Sequence, residues 1–264
     1  MTTNTTHTTN TVADIGYGKQ FEGWYDRMFP GDAATRLTVD ALAACHPDPA
    51  WGTLEFGVGT GRIALPLSHR VGPVTGVDSS QEMLAVLEKK SGDGSVTIEL
   101  GDIRTYRDSR RYGLVYCVCS TLSLILDPCG QQDAITRAAE LLRPGGRLLV
   151  ETHNRPGVEA LHQGLTRTTV FVPFPEPDAG LQMHATLLGE NRIWQVSTIL
   201  FEPDGTHRIG TETARLLTPD EVDGYARNAG LRPEGHHSDW RRNDYVPTAG
   251  VFIASYTKPT VEPA

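Results

Sequence analysis

The chain of 264 residues has no run of about 18 apolar residues, the length a helix needs to cross a bilayer core, so no membrane contact is expected. Cysteine is scarce: Cys45, Cys117, Cys119 and Cys129 form no CxxC pair and no cysteine–histidine spacing of the kind that holds zinc. They read as reduced thiols of a cytoplasmic protein, and no metal site is expected. Basic residues are outnumbered, with 24 Lys and Arg against 32 Asp and Glu and a formal net charge of -8. That balance disfavours a nucleic-acid partner, which calls for a basic face against its phosphates. The opening "MTTNTTHTTNTVAD" has neither a basic start nor an apolar block, so it does not read as a signal peptide. Its threonine-rich composition reads as a disordered leader over residues 1–14. No internal repeat is visible.

From Trp51 onward, short apolar runs alternate with helical patterns, the mark of a parallel sheet with crossover helices. The expected strands are 52–56, 73–77, 96–100, 114–118 and 147–152. Between the second and third, "SSQEMLAVLEKK" has Ser79 followed by Glu82, a capping box, with Met83, Leu84 and Leu87 on one helical face. Before the fifth, "DAITRAAELLRPGG" carries Ile135, Ala138, Ala139 and Leu142 on a stripe and is expected to stop at Pro144-Gly145-Gly146. After Glu151 the pattern turns β-like, with turn signals at Gly189-Glu190-Asn191 and Pro203-Asp204-Gly205. Residues 155–216 are therefore expected to be a β-rich antiparallel insertion, its strands starting near 165. Neither face of "RIWQVSTIL" is clearly polar, so one side is expected to pack and the other to meet a second copy as a homodimer. "TPDEVDGYARNAG" returns to helix, with Thr218 as cap, Pro219 at the first position, Glu221 closing the box and Gly230 past the end. Strands near 231–237 and 250–256 close the chain.

The stretch "LEFGVGTGRIALPLS" places Gly57, Gly59 and Gly61 directly after the first strand. Three bare positions in five residues serve a ligand that sits against the backbone at a helix N-terminus. The dinucleotide fingerprint G-x-G-x-x-G fails, because Arg62 stands where its third glycine belongs, and no lysine follows Gly61 to make a phosphate clamp. Asp78 ends the second strand, where a carboxylate can accept both hydroxyls of a ribose. Asp102 follows the third strand at the same sheet edge. Together they point to an adenosine-type ligand.

"LEFGVGTG", "VTGVDSSQEML", "IELGDIRTY", "LVYCVCSTLSLI" and "LLRPGGRLLVETHN" resemble, in order and spacing over residues 51–154, the motifs of the class I S-adenosylmethionine-dependent methyltransferases. The family's acidic residue two before the first glycine is present as Glu55. The resemblance implies an α/β, Rossmann-like, seven-stranded, mostly parallel sheet ending in a reversed hairpin, formed by residues 51–154 and 217–258. It implies a helical cap over 15–50, and it makes the β-rich insertion an acceptor pocket or a dimer contact. S-adenosylmethionine would lie with its methionine part along Gly57, Gly59 and Gly61, its ribose on Asp78, and its adenine beside Ser79, Met83, Asp102 and Ile103. Val118 would lie under the sulfonium, and Tyr25, in "WYDRMF", would close over the cofactor. The cap and insertion are similar to small-molecule enzymes, including amino-sugar N,N-dimethyltransferases and glycine N-methyltransferases.

Methyl transfer chiefly needs alignment of the acceptor and exclusion of water, which can lower a barrier by about 7–11 kcal/mol. An amine acceptor needs only to be neutral, whereas a phenol or alcohol gains more from a base. His153, directly after the fifth strand at the carboxyl edge of the sheet, is the first candidate base; holding a loop or the acceptor by a hydrogen bond is its alternative role. His236 and His237 rank second, and Tyr25 could close on the acceptor as well. "VFVPF", Met183 and Trp194 either line an apolar pocket or form the insertion's core. Arg241 and Arg242 could clamp a phosphate or carboxylate. The fourth strand lacks the Asn/Asp-Pro-Pro-aromatic element of enzymes that methylate planar amino groups. The expected activity is methylation of a small-molecule acceptor at nitrogen or oxygen in secondary metabolism. A carbon or macromolecular acceptor, or a module that binds cofactor without turnover, are the alternatives.

Overall fold

Thr53, Leu54, Glu55 and Phe56 are all buried, as a central strand must be when both faces of its sheet are covered. The structure, a computed structural model, describes residues 16–92, 94–190 and 192–260, so the expected leader and Asn191 of the first turn signal lie outside the described residues. In chain order, helices α1 (Tyr17–Phe21), α2 (Tyr25–Met28) and α3 (Ala33–Cys45) precede β1 (Thr53–Phe56). Then follow α4 (Ala64–Val71), β2 (Val74–Asp78), α5 (Gln81–Lys90), β3 (Val96–Leu100), β4 (Tyr112–Cys117), α6 (Pro128–Leu141) and β5 (Leu142–His153). Helix α7 (Arg155–His162) leads to β6 (Arg167–Pro173), β7 (Gly180–Leu188), β8 (Ile193–Phe201) and β9 (His207–Arg215). The chain ends with α8 (Pro219–Asn228), β10 (Arg232–His237) and β11 (Val251–Thr257).

The seven-stranded sheet has the order β10-β11-β5-β4-β1-β2-β3. Strands β1–β5 are parallel, and β11 runs antiparallel to both β5 and β10. Alternation along the strands sorts the core into two layers. Leu54, Phe56, Val115, Leu148 and Val150 meet α6 and α8 through Ala134, Ile135, Ala138, Val222 and Ala226. Leu114, Tyr116 and Leu149 meet α3, α4 and α5 through Leu42, Leu67, Leu84 and Leu87. Strands β6–β9 form a separate antiparallel four-stranded sheet. On β8, Val196, Thr198 and Leu200 turn inward, so this strand does have a buried face. Leu200 packs with Phe21, Trp24 and Met83, which ties the small sheet to the N-terminal helices and to α5.

Two local expectations need correction. The cap of α5 is Ser80 and not Ser79: its Oγ accepts from Met83 N at 3.3 Å, because Asp78 Oδ1 has already drawn in the Ser80 N–H and set its extended backbone. Pro144-Gly145-Gly146 is not a helix stop. Helix α6 ends at Leu141, and the three residues run on inside β5, where a register shift against β4 between Tyr112 and Leu114 absorbs them. The Thr218–Glu221 capping box forms as expected, and Gly230 takes φ +77° after the end of α8.

Helix α7 begins against the segment before β11. Asn154 Nδ2 donates to the carbonyls of Pro247 at 2.9 Å and Ala249 at 2.7 Å, and a Cβ on Gly157 would lie 1.8 Å from the Ala249 oxygen. Alanine gains up to about 1 kcal/mol of helix propensity over glycine, but overpacking against backbone costs about 1–3 kcal/mol or more. Gly157→Ala is therefore expected to lower the Tm by a few degrees in a thermal melt, the opposite of the propensity trend.

Candidate functional site

Three glycines after β1 all take left-handed backbone: Gly57 φ +77°, Gly59 φ +54° and Gly61 φ +79°. Packing requires two of them as well, since a Cβ would lie 2.4 Å from Thr121 Cγ2 at Gly57 and 2.3 Å from Leu87 Cδ1 at Gly61. At Gly59 a Cβ would meet nothing within 4 Å. The turn is pinned to β2 by Gly57 N and Val58 N, which donate to the Val77 carbonyl at 2.8 and 3.1 Å. Gly59 N donates to Asp78 Oδ2 at 2.8 Å, and Ser80 N to Asp78 Oδ1 at 2.9 Å, so the carboxylate holds two loops at once.

These loops open onto a cavity of about 640 Å³ at the carboxyl edge of β1, β2, β3 and β4. It is lined by Glu55, Gly57, Gly59, Asp78, Ser79, Met83, Asp102, Ile103 and Val118 from the sheet side and by Tyr25 from α2. Gly61 does not line it and is spent on packing against Leu87. Glu55 is 2% exposed and accepts from Tyr116 Oη at 2.8 Å; burial pushes its carboxyl up to about 8. Asp102 is engaged by its neighbour: Arg104 Nε reaches both its oxygens at 2.9 Å. Partial burial works to raise the Asp102 pKa, but the Arg104 guanidinium outweighs it and holds the group below its ordinary value.

His153 stands at the end of β5, as expected, but its ring does not line the cavity. It packs edge-on against Trp194 of β8, centroids 5.1 Å apart, and burial pushes its pKa down to about 4. The imidazole is neutral there because nothing nearby compensates a charge. His236 is taken by the Asp223 carboxylate at 2.9 Å, which also accepts from Tyr256 Oη. Phe171 and Val172 of "VFVPF" are exposed, and Trp194 packs beside Val158, Leu187 and Leu216. Arg241 and Arg242 lie on an exposed turn. The apolar residues of the insertion thus lie apart from the cavity, whose wall from β9 is polar: Thr211, Glu212 and Thr213.

Several lining residues carry no local signal in the amino-acid pattern. Tyr17 and Gln20 of α1 line the cavity because α1 lies on the start of α5; a Cβ on Gly18 would be 1.8 Å from Ser80 Oγ. Arg62 enters beside Tyr25 and bonds Thr35 Oγ1 at 3.0 Å and the Cys119 sulfur, while its Nε is buried without a partner among the described residues. Burial raises the Tyr17 and Tyr25 phenols well above their ordinary value and lifts the Cys119 thiol to about 12, so all three are neutral. Cys119 and Ser120 both take positive φ, +53° and +59°, an uncommon pair for non-glycine residues, at the cavity rim. The only forecast available for them was that loops at this sheet edge carry ligand contacts. Among the described residues no helix is long and apolar enough to cross a membrane, and no cluster of three or more His, Cys, Asp or Glu could hold a metal ion.

Residues 53–146 match the family described as Methyltransferase domain. A dTDP-3-amino-3,6-dideoxy-α-D-glucopyranose N,N-dimethyltransferase of Streptomyces fradiae is 29% identical over 207 residues, covering 74% of this chain and 75% of that protein. The CcbJ methyltransferase of Streptomyces caelestis has a solved structure that covers 94% of this chain and 100% of its own, at 28% identity and a TM-score of 0.82. A methyltransferase relative from Geobacillus sp. (strain WCH70) is 29% identical over 150 residues, 55% of this chain; the chain spans 61% of that relative's length, less than two thirds. With the strand order, the glycine turn and Asp78, these likenesses agree: the chain carries a class I S-adenosylmethionine-dependent methyltransferase domain.

Proposed function

We propose that the chain transfers a methyl group from S-adenosylmethionine to nitrogen or oxygen of a small molecule, in a secondary-metabolic pathway. The observation that carries this reading is the cavity of about 640 Å³, floored by the glycine turn and Asp78 and covered by the aromatic N-terminal helices. The names of the Streptomyces relatives support the acceptor class, one acting on an amino sugar attached to a nucleotide. The residues present suit the cofactor: open space above Gly59, a carboxylate already oriented by two backbone donors, and an unpartnered buried Arg62 Nε. Asp78 would hold the ribose hydroxyls, and Ser79, Met83, Asp102 and Ile103 the adenine. Gly57, Gly59, Glu55 and Arg62 would take the methionine end. When bound, S-adenosylmethionine supplies an electrophilic methyl group on sulfur.

The chain's own residues then hold and exclude. Tyr17 and Tyr25, edge to face at 6.2 Å between centroids, cover the cavity and keep water from it. Val118 and the tight Cys119–Ser120 turn bound the space where acceptor and methyl group meet. His153, neutral and packed edge-on against Trp194 outside the cavity lining, takes no proton from the acceptor. The exposed Phe171, Val172 and Ile209 on the small sheet fit the homodimer expected from the sequence, and the cytoplasm is the proposed location. Light scattering is expected to give twice the monomer mass, and a monomer would remove the dimer.

Asp78→Ala removes a charged hydrogen-bond acceptor for the ribose hydroxyls, each such bond to an ionised group being worth about 1.5–3 kcal/mol. Calorimetric titration with S-adenosylhomocysteine is expected to show about tenfold weaker binding or worse, with a cooperative melting transition retained at a lower Tm because Gly59 N and Ser80 N also lose their acceptor. Glu55 gives a pH signature. A carboxyl raised from 4.5 to about 8 binds its proton more tightly folded than unfolded, so its contribution to stability is full below about 4.5 and is lost as pH rises through about 8. Between pH 5 and pH 8.5 the wild-type Tm is therefore expected to fall more steeply than that of Glu55→Gln, which keeps an acceptor for Tyr116 and has no proton to lose.

A further inference from the structure

The wall contributed by β9 holds an acid that neither the fold nor cofactor binding uses. Glu212 lines the cavity half-buried between Thr211 and Thr213. Among the described residues no donor is hydrogen-bonded to its carboxylate and no cation is paired with it, although every other acid lining the cavity has a bonded partner: Glu55 has Tyr116, Asp78 has Gly59 and Ser80, Asp102 has Arg104, and Asp127 has Gly130. A carboxylate drawn partly out of water without donor or counter-ion is costly. A chain that keeps one facing a ligand cavity has a ligand cation in hand to offset it. Tyr17 lies close enough for its phenol to feel the Glu212 charge, and Tyr25 lines the same cavity; both phenols are neutral, and aromatic rings favour a bound cation.

We infer that Glu212 anchors the acceptor and that the acceptor is an amine, which the carboxylate binds as its ammonium ion and then deprotonates. The N–H bond breaks, its electron pair remains on nitrogen as the nucleophilic lone pair, and the proton moves to a Glu212 oxygen, from which solvent takes it when product leaves. The inference rests on the methyltransferase reading above and narrows its acceptor from nitrogen or oxygen to nitrogen.

Burial alone, with no opposing partner, pushes the Glu212 carboxyl up to about 7, which suits an acid that must both hold and release a proton near neutrality. The titratable and charged groups that share the cavity with it are Tyr17 on α1, Tyr25 on α2, Arg62, Arg104, Cys119, Glu55, Asp78, Asp102 and Asp127. Tyr17, Tyr25 and Cys119 stay neutral through this range and Arg62 stays cationic. Glu55 titrates near 8, so the Glu212 variants separate its contribution. Amine affinity is expected to fall as pH drops below about 7, where Glu212 becomes protonated.

The test is calorimetric binding with two probe pairs that differ by an amine. The first is sinefungin, which carries an amino group where S-adenosylmethionine carries methylsulfonium, against S-adenosylhomocysteine. The second, with S-adenosylhomocysteine bound, is dTDP-3-amino-3,6-dideoxy-α-D-glucopyranose against the same nucleotide sugar with a 3-hydroxyl. Wild type is expected to prefer the amine, and Glu212→Gln to lose about tenfold of that preference together with its pH dependence, while S-adenosylhomocysteine affinity stays within about twofold. Glu212→Asp is expected to retain part of the preference. A wild type with no amine preference in either pair, or a Glu212→Gln variant that keeps it in both, overturns the inference. Wild type that fails to bind S-adenosylhomocysteine at all overturns the methyltransferase reading itself, a separate outcome.

Discussion

The site depends on one constraint, the hold that the Asp78 carboxylate keeps on two backbones. One oxygen accepts from Gly59 N and the other from Ser80 N, at 2.8 and 2.9 Å. The parallel register that sets Phe56 beside Val77 delivers both loops to the same sheet edge. The turn after β1 must then reverse within five residues, which takes three left-handed positions and so three glycines. The Ser80 side chain, positioned by the same carboxylate, caps α5. Substituting one glycine would therefore disturb α4 and α5 together with the floor of the cavity. Glu55, buried under the turn, accepts from Tyr116 on the neighbouring strand and so ties β1 to β4 at the cavity floor.

Charge in the cavity is arranged sparingly. Arg62 is the cation that reaches from the turn to α3 and the Cys119 rim, bonding Thr35 and the Cys119 sulfur with its face toward Phe29. Asp26 ties α2 back to the same turn through Thr60 Oγ1 at 2.7 Å and Lys90 Nζ at 2.6 Å. The ion pair with Lys90 is exposed and worth little alone; its use is geometric, since it fixes which face of α2 looks inward. Arg104 in turn neutralises Asp102. What is left uncompensated is the acid on β9, and that contrast gives Glu212 its meaning.

Much of this was legible in the sequence because it is local. Gly57, Gly59 and Gly61 lie within five residues of one turn, and Asp78 ends the next strand, so spacing alone brings them together. The short apolar runs of β1 and β4 and the helical stripes of α5 and α6 pointed to a covered parallel sheet. The cap of α5 was misplaced by one residue because Ser79 and Ser80 are equivalent in pattern, and only the hydrogen bond from Ser80 N to Asp78 distinguishes them. Pro144-Gly145-Gly146 misled because a bulge inside a strand and a helix stop use the same residues. Tyr17, Arg62 and Glu212 could not be found by spacing: they meet only after α1 and β9, nearly 200 residues apart, are folded against each other. His153 illustrates the converse. Its place at the strand end was correct, but the ring's direction was decided by Trp194, forty-one residues later.

The same long-range contact determines how the cavity is covered. Helix α1 has five residues and α2 four, far below the length at which a helix is stable on its own. They are held by burial of Phe21 and Trp24 against Leu200 and Met83, with Tyr17 and Tyr25 packed around them. Two glycines fix the spacing on either side. Gly18 lets α1 rest on Ser80, and Gly210 of β9 lets Phe21 and Trp24 approach to where a Cβ would be 2.6 Å from the Phe21 ring. A larger residue at either point would lift the cover away from Asp78 or from Glu212. Because the cover owes its order to packing rather than to its own helicity, the burial of Phe21 and Trp24 against Leu200 and Met83 is what keeps Tyr17 and Tyr25 over the glycine turn.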